Sequence, residues 1–445
     1  MAEGQNNKKL SSGLRFALRA LQYRNYRLFF GGQTVSLVGT WMTRIAMSWL
    51  VYRLTNSAFL LGFVGFAGQI PAFVLAPFAG VWVDRWNLHR VLIWTQVLSM
   101  VQSFALAGLA LSHTITIQQI IWLSLFQGVV NAFDMPARQA FVVEMVEKRE
   151  DLPNAIALNS SMVNAARLIG PSLAGIIIAG FGEGDCFLID GISYIAVIAS
   201  LLLMRLRPEA VRSAPKQMLH ELREGWQYVA HFVPARSVLL LLALVSLVGM
   251  PYTVLMPVFA ASVLHGGAHT LGFLMGASGV GALVAAASLA ARKSVLGLGK
   301  VIPVSAFLFG SGLVAFSLSR WLWLSLPMMF VTGFAMMQQM AASNTILQTI
   351  VPDDKRGRVM SYYSMAFMGI SPFGSLFAGI AAARIGAPRT LLIGGIVTSV
   401  GALWFASQLG ALRRAVRPIY QRIGILPELT TGIQTASALL TPPEK

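Results

Sequence analysis

"REDLPNAIALNSSMVNAARLIGPSLAGIIIAGFG", residues 149–182, lines up loosely with "VPDDKRGRVMSYYSMAFMGISPFGSLFAGIAAARIG", residues 351–386. Each stretch opens on charged residues, becomes a long apolar run and holds a proline within it. Pro171 and Pro372 stand at an offset of 201. A bilayer core of about 30 Å needs about 20 apolar residues in a helix, and both runs are long enough. The first also carries Arg167, although a charge at bilayer depth costs roughly 2.5–3.5 kcal/mol on insertion scales. An interior proline costs about 3 kcal/mol in a soluble helix. A matched pair of such runs points to an internally repeated membrane protein.

Ten further runs of similar character extend outward from these two. The twelve are 28–52, 58–83, 90–112, 116–137, 154–181, 185–205, 237–263, 269–291, 301–319, 321–348, 359–383 and 388–409. Six precede residue 206 and six follow residue 236, so the fifth and eleventh runs cross in the same direction. Two parallel-repeat six-helix bundles related by an axis along the membrane normal give that pattern. The sequence therefore predicts an all-α integral membrane protein with twelve transmembrane helices. Its bundles cover 28–206 and 237–409, with tails over 1–27 and 410–445 and a central loop over 207–236. In and beside that loop Met218, Leu222, Trp226 and Val229 recur at helical spacing, which predicts an amphipathic helix on the membrane surface.

Composition agrees. The 445 residues are 56% hydrophobic and 11% charged, against about 25% charged in an ordinary soluble protein. The net charge of +17 does not point to nucleic acid, because the charges sit in short gaps between apolar runs. With the N-terminus inside, 28 of the 34 lysines and arginines fall in cytoplasmic segments. Only Arg53, Arg320, Arg384 and Arg389 fall opposite, while Arg44 and Arg167 lie within runs. The positive-inside bias thus puts both termini in the cytoplasm. The first residues lack the pattern of a removable signal peptide; Leu14, Phe16, Leu18 and Leu21 among basic residues suggest a short interfacial helix. One cysteine, Cys186, excludes an intramolecular disulfide. The sequence shows no phosphate-binding loop, metal-ligand cluster or nucleophile–base motif, so neither an enzyme nor a cofactor is expected.

Between the second and third runs stands "GVWVDRWNLHR", Gly80 to Arg90. It resembles the loop signature of the major facilitator superfamily: Gly80, Asp84 and Arg85 match, and Arg90 remains of the basic cluster. Asn87 stands where many members have glycine, a residue that also tolerates left-handed geometry. The physical reading is an ionic latch in which Asp84 bridges to Arg90 or to the eleventh helix; a solvated turn is the alternative. "NAFDMPARQAFVVEMV", "LQTIVPDDKRGRVMS" and the Gly170-Pro171 pair with Gly175 resemble the branch containing the enterobactin exporter and bacterial macrolide-efflux proteins. That resemblance implies export by alternating access, driven by proton exchange. Drug–proton antiporters of the superfamily often carry an arginine three residues ahead of a Gln-Gly in the fourth helix. Here Gln127-Gly128 is present and Ser124 stands at the arginine's place, so coupling has to rest on other residues.

Charged and polar groups within the runs form stripes at helical spacing, which should face a wet cavity or one another rather than lipid. Arg44 shares a stripe with Gln33, Thr40 and Ser48, and Arg167 with Ser160, Asn164 and Pro171. Gln127, Asn131, Asp134 and Arg138 share a third. The substrate-cavity candidates are Gln33, Arg44, Asn164, Arg167, Gln127 and Asn131. Each arginine can instead be paired to hold helices together. Proton exchange needs a group that changes charge near neutral pH, and a carboxyl in a low-dielectric site has its pKa raised. The candidates are Asp134 and Asp190, although Arg138 one turn away can neutralise Asp134. On the opposite face of the fifth run Ala166, Gly170 and Ala174 form a small-residue surface for a neighbouring helix. Pro251, Pro257 and Pro372 mark places where helices bend. Met336, Met337 and Met340 form a flexible apolar patch.

These observations predict a monomeric secondary transporter exporting an anionic or amphipathic small molecule in exchange for protons. A membrane sensor or assembly subunit without transport, and an uptake symporter of the same fold, are the alternatives.

Overall fold

The computed structural model describes residues 18–83, 85–205, 218–292 and 294–422. Asp84, Leu14 and Phe16 lie outside them. The described residues form helices joined by short turns: α1 (Arg24–Thr55), α2 (Ala58–Ala67), α3 (Ile70–Val83), α4 (Leu88–Leu111), α5 (Ile117–Glu144), α6 (Leu152–Gly180), α7 (Glu183–Leu202) and α8 (Met218–His231). Then come α9 (Val233–Leu244), α10 (Tyr252–Val258), α11 (Ala268–Ala290), α12 (Leu298–Leu318), α13 (Leu322–Ile350), α14 (Asp353–Ser364), α15 (Ser371–Ile385) and α16 (Ala387–Arg422). Among the described residues ten helices, some built from two consecutive segments, are long and apolar enough to cross a membrane. Two others, α1 with 32 residues and α13 with 29, are as long but more polar and are not among the ten. Large apolar side chains cover the outer surface, including Trp122, Phe181, Trp321 and Trp323, as expected where the solvent is lipid and aromatics mark its boundary.

Proline chemistry explains where runs are interrupted. The expected run 58–83 is broken between α2 and α3, because Pro71 has no N–H to give the Ala67 carbonyl. π-helical turns over Val245–Gly249, Phe259–Val263 and Met365–Gly369 lie beside Pro251, Pro257 and Pro372. There the Met250 N–H reaches back five residues to the Val245 carbonyl at 2.9 Å, and Leu264 does the same to Phe259. Pro171 by contrast sits inside a continuous α6. The expected helix before the seventh run is present as α8, and its Trp226 ring meets Tyr362 of α14 at 6.0 Å. An ion pair from Glu224 to Arg358 fastens the same contact.

Packing follows two groupings. In the first, α1 lies on α6 and α7, α4 on α5 and α7, and α3 on α5. In the second, α11 lies on α13, α12 on α13 and α16, and α9 on α16. The groups meet where α6 crosses α11 and where α2 crosses α15. Both crossings are glycine on glycine. A Cβ at Gly175 would stand 2.8 Å from the Gly272 Cα, and one at Gly62 would stand 2.7 Å from the Gly379 Cα. Backbones touch there, which only residues without side chains allow. The two stretches quoted first also end alike, on Gly182 and Gly386 at φ of +107° and +87°, a region that favours glycine.

Candidate functional site

Arg44 lies well inside α1 yet is solvent-exposed, so its charge meets water or a ligand at a depth where lipid would be costly. One helical turn earlier on α1 is Trp41. The Arg44 guanidinium carbon is 4.8 Å from the Trp41 ring centroid, and that of Arg167, from α6, is 5.6 Å from the same ring. Two cations therefore share one indole, both within the range of cation–π attraction. Gly170 makes this possible: a Cβ there would stand 2.6 Å from the Trp41 Cβ and 2.9 Å from the Val38 carbonyl oxygen. The small face of α6 is thus packed on α1, with Ala166, Gly170 and Ala174 all buried. The Arg167 Nη2 also donates to the Met336 Sδ of α13 at 3.9 Å, a contact between the two helix groups. Among the described residues neither arginine has a carboxylate within ion-pair distance.

The two candidate acids occupy different surroundings. Asp134 accepts from the Thr95 hydroxyl at 2.9 Å and the Gln96 amide at 2.7 Å, and pairs with Arg138 one turn on. Both oxygens of that carboxylate are engaged, and the neighbour foreseen as its neutraliser is its ion-pair partner. Asp190 is 1% exposed and accepts from the Ser103 hydroxyl at 2.9 Å. Its other oxygen has no hydrogen-bond partner among the described residues, and no cation pairs with it. A buried carboxyl of this kind loses no ion pair on taking a proton.

The remaining candidates divide. Gln127 donates to the Ser99 hydroxyl at 3.0 Å and to the Asn131 side-chain oxygen at 3.2 Å, on the same face of α5 as Asp134. Asn164 donates back to the Ser160 carbonyl at 2.9 Å. Gln33 is 2% exposed and packed away rather than on an open wall. Pro171 is buried, and Gly175 forms the crossing with α11. Of the loop signature, Gly80 belongs to α3 and Arg85 and Arg90 are exposed, while Asp84 lies outside the described residues. Asn87 is corrected: its φ of −67° is extended, not left-handed, and its side chain caps α4 by accepting from the Arg90 N–H at 3.0 Å. A short polar residue ahead of an apolar run is an N-cap signal.

Met336 was foreseen as part of an apolar patch, whereas Trp41, Ser103, Thr95 and Gln96 were not foreseen. Only Trp41 left a usable trace, three residues before Arg44 on one helix face. The other contacts are made across helices, and no spacing within one run encodes them.

The model of the transmembrane secretion effector family matches residues 16–416. The chain belongs to that family. It is a membrane transporter of the major facilitator superfamily, of the efflux branch, and not an enzyme. The staphyloferrin A transporter of Staphylococcus aureus (strain NCTC 8325 / PS 47) is 28% identical over 84% of this chain and 93% of its own. The macrolide efflux protein A of Streptococcus pyogenes is 22% identical over 84% of this chain and 94% of its own. In fold the chain is similar to the crystal structure of a mutant of the nucleoside transporter NupG. That likeness has a TM-score of 0.68 at 14% identity and covers 87% of this chain and 99% of that one.

Proposed function

We propose that this transporter exports a small anionic or amphipathic molecule from the bacterial cytoplasm by proton-coupled alternating access. In this reading α1 and α13 cross the membrane with the ten apolar helices, making twelve spans in two six-helix bundles over 28–206 and 237–409. Both termini and the central loop are cytoplasmic, and the chain works as a monomer in the inner membrane. The names of the relatives, a staphyloferrin A transporter and a macrolide efflux protein, support transport of a small molecule.

The observation that carries the proposal is the pair Arg44 and Arg167 on Trp41, deep in the helices and without a carboxylate partner among the described residues. An arginine keeps its charge, so the pair is a fixed positive field for an anion. The variable charge is then Asp190, whose burial without a cation suits a proton carrier, while Asp134 is committed to Arg138. Asp84 with Arg85 and Arg90 forms the latch between the second and third spans, and Gly170, Pro171 and Gly175 set the packing of the fifth.

Retention of a transported anion in cells tests this. Arg44→Gln and Arg167→Gln should each slow its export at least tenfold while the proteins reach the membrane at wild-type levels. Unchanged export by both variants would defeat the proposal.

A further inference from the structure

We infer that Trp41 is a specificity-determining residue and that the ligand of the site is a planar molecule carrying two or more negative charges. This rests on the anion-exporting reading above and goes one step further, from the sign of the charge to its number and spacing.

The argument begins with what surrounds the two cations. The ionisable groups that act on Arg44 are the Tyr194 phenol and Arg167, another cation. Two acids of α7 make their contacts elsewhere. Glu183 forms a two-pronged pair with Arg53 at 2.7 and 3.1 Å, and Asp190 accepts from Ser103. Arg167's contact from the second helix group is a thioether sulfur at 3.9 Å, a weak acceptor that a carboxylate readily replaces. The two guanidinium carbons lie no farther apart than their 4.8 and 5.6 Å legs to the indole laid end to end. Over such distances, at the effective dielectric of a protein site, two like charges repel appreciably. An indole face offsets part of each charge but removes neither. A ligand with one negative charge neutralises one arginine and leaves the other; a ligand with two neutralises both.

Geometry adds the shape. Trp41 holds its place because Gly170 lets α6 come against its Cβ, so the spacing between the cations is fixed by a rigid ring. Guanidinium groups are planar, bind carboxylates through two parallel N–H donors and stack on flat faces. A flat ligand with its acid groups spread across a ring matches that set, and Met336 supplies a polarizable apolar contact from the second helix group. Arg44 is the exposed member of the pair and meets such a ligand first.

The test uses the full chain in lipid nanodiscs, titrated calorimetrically with benzoate, isophthalate and benzene-1,3,5-tricarboxylate, which share one ring and differ in charge. Isophthalate and the tricarboxylate should bind at least tenfold tighter than benzoate. Arg44→Gln or Arg167→Gln should erase most of that difference. Trp41→Leu should erase it with both arginines present, and Trp41→Phe, which keeps a flat ring, should restore part of it. Thermal unfolding of each variant separates loss of recognition from loss of fold. Equal binding of benzoate and isophthalate by the wild-type protein would overturn the inference and leave the anionic reading standing. Binding of the cationic dye ethidium with none of the three acids would defeat the anionic reading itself.

Discussion

The two buried aspartates divide the work of charge by their partners. Asp134 accepts from Thr95, Gln96 and Arg138, and hydrogen bonds to a charged group are worth about 1.5–3 kcal/mol each. Removing that carboxylate strips Gln96 and Arg138 of their acceptor, while the Thr95 hydroxyl can turn to the Leu92 carbonyl, so Asp134→Ala should lower the thermal unfolding midpoint of the purified protein, at a cost of roughly 3 kcal/mol. Asp190 has one hydroxyl donor and no ion pair, so Asp190→Asn keeps its shape and should cost about 1 kcal/mol or less. The same variant should stop proton-driven export. Equal destabilisation by the two, measured side by side, would contradict this division. Both acids were visible as candidates in the sequence. The pairing of Asp134 with Arg138 was readable one turn away on α5, whereas Thr95 and Gln96, which complete its surroundings, sit on α4 and leave no trace in the α5 run. The indole shared by Arg44 and Arg167 was half legible, since Trp41 and Arg44 are one turn apart, but the approach of Arg167 depends on α6 touching α1 at Gly170.

Among the elements, α6 carries two kinds of small residue with different neighbours. Gly170 admits α1, and Gly175 admits α11. The second belongs to the pair of glycine crossings that join the helix groups, the other being Gly62 with Gly379. Backbones that touch cannot take up added methyl groups by a side-chain shift alone, because the obstacle is main chain. Gly175→Val should therefore hold α6 and α11 apart and abolish export while circular dichroism still shows wild-type helix content. Normal export by that variant would mean that this crossing need not close. The small-residue pattern of α6 was readable from its own spacing. Its partners were not, because Gly272 lies almost a hundred residues away and helix crossing is set by the whole bundle. The interruption at Pro71 and the π turns beside Pro251, Pro257 and Pro372 follow from a missing N–H. The prolines could be read directly, whereas the choice between a break, a π turn and an undisturbed helix, as at Pro171, is made by tertiary packing.

At the scale of the molecule, long apolar runs and a repeated proline motif were enough to predict an all-helical membrane protein in two repeats, and the resemblance of Gly80, Asp84 and Arg85 to a loop signature pointed to the major facilitator superfamily. The bilayer admits few architectures, which is why so coarse a signal goes so far. Two long helices that are not among the ten apolar ones, α1 and α13, carry Arg44 and Met336, and the apolar α6 carries Arg167, so the candidate site draws on both kinds of helix. A transporter that uses a proton gradient to expel anions makes a direct demand on cells. Bacteria loaded with carboxyfluorescein, a dye with a flat xanthene ring and several acidic groups, through its membrane-permeant diacetate ester should lose the dye faster when they express this protein. A protonophore should abolish the difference, and Arg44→Gln should reduce it to the level of cells lacking the protein. Dye loss that is the same with and without the protein, in energised cells where it is present in the membrane, would contradict the account.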